Sequence, residues 1–279
     1  MSEASAILTI GIILSPRSRW RCGFVVQCAT FVDETSIDNI NSEEKLMKTA
    51  QQRRRIFLMR HGSVTYFDAS GKPVLPESVP LNALGREQAS AAGRMFAAGA
   101  IHFDRVIVSG LPRTVETATR VLAETGQPCQ LDIWPELEEI RGGRLAAIAD
   151  ADLKAAFTGA FEGVVSEDKR FLGGESVGEL MDRIHPAIAR LRADASWDTV
   201  LLVLHGGVNC AILSLALTGQ RSFLGGLAQS AGCINALDVG AQEADWVVRF
   251  INYAPPAPLQ ADARSTTMEQ LYDQYRRSR

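Results

Sequence analysis

With 279 residues, the chain is long enough for one large α/β domain or two small ones with a sizeable core. Hydrophobic residues make up 46% and charged residues 22%, as in typical globular proteins, and the formal net charge of −3 gives no basic field that would favour nucleic acid as a partner. The cysteines are odd in number, scattered and without CxxC spacing, which favours reduced cytoplasmic thiols over disulfides or a zinc site: Cys22, Cys28, Cys129, Cys210 and Cys233.

The first 52 residues differ in composition from the rest and sustain no regular period, so we expect a poorly ordered N-terminal extension over 1–52. Its apolar segment Ala6–Leu14 is far shorter than the roughly 20 residues needed to span a bilayer. Three arginines follow that segment, whereas a secretory signal carries its positive charge in front. We therefore expect a cytoplasmic protein without a membrane partner. The main domain should cover 53–256, followed by a C-terminal tail over 257–279.

Strands and helices alternate along the main domain. Short apolar runs predict strands, and apolar residues at helical spacing predict helices. In chain order the pattern gives strand Ile56–Met59, helix Leu84–Ala98, strand Asp104–Ser109, helix Arg113–Glu124, strand Gln130–Trp134, helix Glu175–Ala193, strand Thr199–Leu204, helix Val208–Leu217, and paired strands Cys233–Val239 and Asp245–Ile251. This order predicts an α/β fold, with a doubly wound, mostly parallel sheet flanked by helices on both faces.

Basic side chains follow three of the predicted strands. Arg60 and His61 come after the first strand, Arg113 follows the second after a short turn, and His205 comes after the most apolar strand. In open α/β sheets the ligand crevice lies beyond the carboxyl ends of the strands, so these side chains should meet at one site. A phosphate monoester carries about −1.5 to −2 charges near pH 7, and arginine grips its oxygens bidentately. The pattern therefore indicates a phosphate-binding site.

The ordered motifs resemble the histidine phosphatase superfamily, also called phosphoglycerate mutase-like. They are Arg60-His-Gly62, Ser109-x-Leu-x-Arg113-x-x-x-Thr117-Ala118 and His205-Gly206, with support from Leu81–Ala89, which is close to LTxxGxxQA, and from Gly174-Glu-Ser176 with Arg183. The resemblance spans roughly residues 54 to 254. It implies a doubly wound fold and phosphoryl transfer through a phosphohistidine, without a metal or a cofactor.

The resemblance also implies roles for individual residues. His61 would attack phosphorus, and Arg60, Arg113 and His205 would hold the phosphoryl oxygens. Gly62, Ser63 and Gly206 would complete the substrate-binding set. Leu137-Glu-Glu139-Ile-Arg-Gly-Gly143 resembles the acid motif of the family, so Glu139 would protonate the leaving alcohol. Glu138 adjoins it, and spacing favours Glu139 only modestly.

Two departures from the family pattern bear on function. Ser63–Phe67 stands where the family commonly has Glu-Thr and a phosphate-binding asparagine, so that contact is in doubt. The long insertion and the Asn-Glu-Arg-His-Tyr-Gly type motif of the mutases are absent, which favours a phosphatase over a mutase. We expect a small phosphorylated metabolite as substrate. The segments that determine substrate specificity should be Val64–Pro80 and Ile148–Leu172.

Other functions are also compatible with parts of the sequence. His61 and His205 could be core histidines, two glutamates in a turn are usually solvated, and a phospho-ligand-binding module could keep the site without its chemistry. Gly174–Gly178 matches the G-x-S-x-G motif of serine hydrolases. However, the segment before it is too polar for a central strand, and Asp198 and His205 would lie roughly 20 Å apart along one strand. No metal-binding motif is evident.

Overall fold

A computed structural model of the chain describes residues 53–68, 72, 74–259, 261 and 264–277, all within one compact unit. The predicted N-terminal extension lies outside the described residues. The described residues form the strands β1 (Arg54–Arg60), β2 (Arg105–Val108), β3 (Leu131–Ile133), β4 (Val164–Val165), β5 (Thr199–Leu204), β6 (Phe223–Leu224), β7 (Ile234–Val239) and β8 (Trp246–Tyr253). They also form the α-helices α1 (Ala83–Ala98), α2 (Pro112–Thr125), α3 (Leu153–Thr158), α4 (Val177–Ala193), α5 (Gly206–Thr218) and α6 (Thr267–Arg277).

Six strands form the central sheet in the order β3-β2-β5-β1-β7-β8. The first four strands are parallel to one another, whereas β7 pairs antiparallel with β1 and β8 pairs antiparallel with β7. The predicted doubly wound, mostly parallel sheet is confirmed. Because β1, β2 and β5 run in the same direction, the segments that follow them leave the sheet at one edge.

Both faces of the sheet are buried, which explains why its central strands are continuous apolar runs. Along β1, Ile56 and Leu58 pack with α4 and α5 on one face, while Phe57 and Met59 pack with α1 and α2 on the other. This alternation follows from the two-residue period of a strand. The ring of Phe57 meets that of Phe96 edge to face at 5.1 Å. The strand ends that carry the basic residues are therefore fixed by a core on each side.

Helix boundaries differ from the sequence-based ones where side chains cap the backbone. Helix α4 begins at Val177 rather than at Glu175, because Ser176 is its N-cap and forms a capping box with Glu179. Helix α5 begins at Gly206, two residues earlier than predicted. Glycine has a low intrinsic helix propensity, but a Cβ on Gly207 would lie 2.7 Å from Oε1 of Glu139. A side chain at position 207 would therefore push the Glu139 carboxylate away from the Gly207 N–H, to which it is hydrogen-bonded.

Several short elements have no clear signal in the sequence. They are the helix α3, the 3-10 turns Pro76–Ser78, Pro135–Leu137, Leu145–Ala147 and Gly159–Phe161, and a separate two-stranded sheet of β4 and β6. Helix α6 packs on α3, where the ring of Phe157 lies 5.8 Å from that of Tyr272 and 5.7 Å from that of Tyr275. Within the described ranges, no helix is long and apolar enough to cross a membrane.

Candidate active site

His61 follows β1 directly, and hydrogen bonds of its backbone fix its position. Its N–H donates to Leu204 O at 3.0 Å, and its carbonyl accepts from Gly232 N at 3.0 Å. The ring nitrogen Nδ1 lies 2.7 Å from Gly62 O. A carbonyl oxygen can only accept, so Nδ1 carries the proton and Nε2 keeps its lone pair. The buried imidazole is therefore fixed as the tautomer with a nucleophilic Nε2.

Gly62 is required by the close approach of the segment after β1 to the amino end of α1. A Cβ on Gly62 would lie 2.3 Å from Gly85 O, and one on Gly85 would lie 2.1 Å from Ser63 O. The Gly62 N–H donates to Thr117 Oγ1 at 3.1 Å, and the Ser63 N–H donates to Gln88 Oε1 at 2.8 Å. These contacts join the segment after β1 to the amino end of α1 and to α2. They explain physically why the motifs that contain Gly62, Gly85 and Thr117 occur together.

Both predicted arginines are buried at this edge of the sheet. Arg60 is 8% and Arg113 2% exposed, and the Nε of each is buried without a hydrogen-bond partner among the described residues. Arg60 Nη1 donates to Gln229 O and, at 2.9 Å, to Thr267 Oγ1. Arg113 Nη1 donates to Pro76 O at 2.6 Å. Unsatisfied buried donors are costly, so two such cations indicate that the cluster is built to receive an anion.

His205 follows β5, the strand beside β1, and its ring centroid lies 5.2 Å from that of His61. Its Nε2 is 2.8 Å from Ser109 Oγ, at the end of β2. Its Nδ1 is buried and has no partner among the described residues. The three strand ends thus bring two imidazoles and two guanidiniums together, as the sequence predicts.

The electrostatics of this cluster keep both imidazoles neutral. Burial, followed by the charges of Arg60 and Arg113, lowers the pKa of His61 well below its ordinary value. Burial, then His61 and the two arginines, does the same to the pKa of His205. A neutral imidazole is the form that can act as a nucleophile. The environment of His61 therefore provides the reactive protonation state at neutral pH.

The adjacent glutamates Glu138 and Glu139 have different surroundings. The carboxylate of Glu139 accepts from Gly207 N, at 3.1 Å to Oε1 and 3.2 Å to Oε2, at the amino end of α5. A Cβ on Gly206 would lie 3.6 Å from Arg60 Nε and 3.7 Å from Glu139 Oε2, so Gly206 lies against both side chains. Glu138 pairs instead with Arg141 near the surface, at 3.4 Å. Glu139 alone reaches the cluster.

Arg183 of α4 holds the loop that carries Glu139. Its guanidinium donates to Glu136 O at 2.7 Å, to Glu138 O at 2.6 Å and to Glu139 O at 3.1 Å, and pairs with the carboxylate of Glu175 at 2.7 Å. The hydroxyl of Ser176 caps α4 by accepting from Glu179 N. The G-x-S-x-G segment therefore serves as a helix cap and an anchor of the acid loop rather than as a nucleophile elbow.

A cavity of about 310 Å³ opens beside Arg60 and Glu139. Its wall includes Phe161, from one of the two segments expected to set specificity, and also residues 225–230 and 264–268, which the sequence did not indicate. In the other expected segment, Tyr66 is half-buried. Burial raises the pKa of its hydroxyl, the charges of Arg113 and Arg60 lower this pKa, and the charge of Glu139 raises it. The cavity is therefore lined from several separate parts of the chain.

Some residues of the site were missed or are placed differently from expectation. Ser109 belongs to a quoted motif, but its contact with His205 was not predicted. Thr267 lies in the expected tail, and no sequence signal marks it. Ser63 was expected to bind substrate, yet its N–H donates to Gln88 and its Oγ accepts from Asn82 Nδ2 at 3.2 Å. The N–H of Gly62 likewise has a protein acceptor in Thr117. The structure describes no group of three or more His, Cys, Asp or Glu residues that could hold a metal ion.

The fold places the chain among the phosphoglycerate mutase-like α/β proteins. Phosphoglycerate mutase from Bacillus anthracis, at 18% identity, superposes with a TM-score of 0.56 over 74% of this chain and 95% of its own. The chain belongs to the histidine phosphatase superfamily (branch 1), whose family model matches residues 56–253. Members of this superfamily are enzymes that handle phosphoryl groups.

Relatives within the superfamily carry different activities in their names. A Salmonella paratyphi A protein named "Probable phosphoglycerate mutase GpmB" is 30% identical over 164 residues, which are 58% of this chain and 74% of that protein. Mycobacterial glucosyl-3-phosphoglycerate phosphatase is 25% identical, with a TM-score of 0.57, over 71% of this chain and 99% of its own. Similarity therefore shows the family, but it does not distinguish a phosphatase from a mutase.

Proposed function

We propose that this protein is a phosphatase that hydrolyses the phosphomonoester of a small phosphorylated metabolite through a phosphohistidine on His61. The observation that carries the proposal is the 2.7 Å contact between His61 Nδ1 and Gly62 O, which leaves Nε2 free for attack. The nucleophile is buried among Arg60, Arg113 and His205. Phosphoryl transfer depends mainly on positioning and on neutralising charge, and both are provided by this arrangement.

Each bond change has a residue to serve it. His61 Nε2 attacks phosphorus while the ester P–O bond breaks, and Glu139 gives its proton to the leaving oxygen. Arg60, Arg113 and His205 bind the phosphoryl oxygens during transfer. Glu139 then takes a proton from water, whose oxygen attacks the phosphohistidine and releases inorganic phosphate. The Nδ1–H bond to Gly62 stabilises the positive charge that develops on the imidazole.

The test is turnover of p-nitrophenyl phosphate in excess EDTA, with His61→Ala as the variant and His102→Ala as the matched control. His102 is exposed and precedes β2, away from the carboxyl ends of the strands. We expect His61→Ala to abolish turnover and the control to retain it. An acid-labile, alkali-stable phosphoryl group should appear on wild type in a rapid quench and be absent from the variant. Turnover that persists in His61→Ala would refute the assignment of the nucleophile.

A mutase remains the second candidate because of the 30% identity to the Salmonella relative. A mutase passes the phosphoryl group from His61 to a second hydroxyl instead of to water. The two activities separate in one experiment with phosphorylated enzyme, in which 2- and 3-phosphoglycerate compete with water. Release of inorganic phosphate at an unchanged rate supports the phosphatase. Formation of a bisphosphorylated glycerate supports the mutase.

A further inference from the structure

Thr267 lies in the C-terminal segment, yet it contacts a residue at the centre of the candidate site. Its Oγ1 accepts a hydrogen bond of 2.9 Å from Arg60 Nη1, across 207 positions of sequence. Arg60 is 8% exposed, and Thr267 is half-buried. We infer that Thr267 is a positioning residue that turns the guanidinium of Arg60 toward the phosphoryl group, so that helix α6 forms part of the active site.

The donors of Arg60 divide between protein acceptors and an edge that is open to a ligand. Nη1 carries two hydrogens, and two acceptors use them: Gln229 O and Thr267 Oγ1. The side-on edge of the guanidinium, formed by Nε and Nη2, remains for a ligand. Nε is buried without a partner among the described residues. Phosphate oxygens bind such an edge bidentately, and the binding would satisfy the unpaired donor.

The two acceptors on Nη1 come from unlike surroundings. Gln229 is locked in a buried amide network, in which its Oε1 accepts from Asn209 at 3.0 Å and from Asn235 at 2.9 Å. Its carbonyl is therefore a fixed part of the main domain. Thr267 belongs to an outlying helix. Removing it leaves Nη1 with a single acceptor and lets the guanidinium rotate about its remaining bond.

Helix α6 is anchored in a way that sets the position of Thr267. The N–H of Thr266 donates to Glu269 Oε2 at 2.7 Å, and the N–H of Glu269 donates to Thr266 Oγ1 at 3.2 Å. These reciprocal bonds cap the amino end of the helix, directly before Thr267. Further along, Tyr272 and Tyr275 pack on Phe157 of α3. The same stretch, residues 264–268, walls the cavity beside Arg60 and Glu139. Docking of the helix on α3 therefore determines whether the hydroxyl reaches Arg60.

The test measures the affinity of the full chain for inorganic phosphate by calorimetry, together with KM and kcat for p-nitrophenyl phosphate. The variants are Thr267→Val, which keeps the shape without the hydroxyl, and Thr267→Ser, which keeps the hydroxyl. Thr119→Val on α2 is the matched control, because its hydroxyl bonds only within its helix. We expect Thr267→Val to weaken phosphate binding about threefold to tenfold, as loss of one hydrogen bond of ordinary net strength predicts for a residue that acts through Arg60. Thr267→Ser should restore binding, and the control should match wild type.

Two further arms separate positioning from a general loss of structure. In an Arg60→Ala background, Thr267→Val should have no additional effect, because the two residues act as one unit. Undocking the helix with Tyr272→Ala and Tyr275→Ala should weaken phosphate binding as Thr267→Val does. Unchanged or tighter binding by Thr267→Val would overturn the inference, and tighter binding would mean that the hydroxyl competes with phosphate. An effect that persists without Arg60 would also overturn it.

The inference rests on the proposed function only for the identity of the bound anion. If wild type binds phosphate but does not turn over p-nitrophenyl phosphate, the proposed hydrolysis fails while the binding arms still test Thr267. If turnover is normal and Thr267→Val leaves both phosphate affinity and KM unchanged, the inference fails and the proposed function stands.

Discussion

Ser109 and His205 follow neighbouring strands of the sheet and are joined by a contact of 2.8 Å between Ser109 Oγ and His205 Nε2. The Ser109 hydroxyl also lies 3.0 Å from Thr114 Oγ1, which donates its own proton to Leu111 O at 2.8 Å. Ser109 therefore donates to Thr114 and accepts from His205. This series of hydrogen bonds places a proton on Nε2 of a neutral His205 and leaves its Nδ1 unprotonated.

The first prediction concerns Ser109→Ala. We expect phosphate affinity to fall about threefold to tenfold, because the imidazole of His205 loses the bond that fixes its tautomer and orientation. Inhibition of turnover by inorganic phosphate measures the effect. Ser196→Ala, an exposed serine ahead of β5 at the opposite edge of the sheet, is the control and should match wild type. Unchanged phosphate affinity in Ser109→Ala would contradict the role of this bond.

The second prediction is uptake of a proton when an anion binds. Burial and neighbouring cations lower the pKa of His205 well below its ordinary value, so the ring is neutral in the free protein at pH 7. A bound dianion raises that pKa and gives Nδ1 an acceptor, provided that Nδ1 gains a proton. At a pH between the pKa of His205 in the free protein and its pKa in the complex, binding of the anion takes up a proton. The affinity for the anion should therefore rise as the pH falls toward 6.

Sulfate is the suitable probe for this uptake, because it carries no titrating proton near neutrality. Calorimetry in buffers of different ionisation enthalpy then counts the protons taken up. We expect uptake in wild type and in His61→Asn, and none in His205→Asn. Uptake that disappears in His61→Asn and remains in His205→Asn would assign the proton to the other imidazole.

The third prediction distinguishes the adjacent glutamates. Glu139→Gln should lower kcat/KM, which reports only the ester-cleavage step, by about 10²- to 10⁴-fold for an alkyl phosphate, the usual contribution of a general acid. The loss should be much smaller for p-nitrophenyl phosphate, whose leaving group needs little protonation. Glu138→Gln is the matched control, since Glu138 pairs with Arg141 away from the cluster. Equal losses for both substrates would exclude Glu139 as the acid in the ester-cleavage step.

The strand-end residues could be read from the sequence because local signals define them. Arg60, His61, Arg113 and His205 each follow an apolar run, and parallel strands carry such residues to one edge of a sheet. The amide network behind Arg60 could not be predicted, since Asn209, Gln229 and Asn235 meet only through tertiary packing. Thr267 left no signal for the same reason. Contacts over 207 positions depend on where an outlying helix docks, which periodicity does not report.

The packing of the segment after β1 against α1 gives the last prediction, which tests the structural basis of the arginine-histidine-glycine motif. A Cβ on Gly85 would lie 2.1 Å from Ser63 O, a contact with backbone that cannot be relieved by rotating a side chain. Gly85→Ala should therefore lower the free energy of unfolding by about 1 to 3 kcal/mol, as overpacking does, despite the better helix propensity of alanine. It should also lower kcat/KM, because the segment that carries His61 and Gly62 must shift.

Denaturant unfolding measures the stability change, and Gly99→Ala at the end of the same helix is the control. A Cβ there would meet Ile101 at an ordinary 3.4 Å, so its effect should stay within about 0.5 kcal/mol. Gly62→Ala is the reciprocal variant, because its Cβ would lie 2.3 Å from Gly85 O. The segment after β1 and the first turn of α1 meet at one place, and once one alanine has separated them the second clash is already relieved. The double variant should thus be destabilised by less than the sum of the single changes, whereas additive losses would mean that the two glycines pack independently.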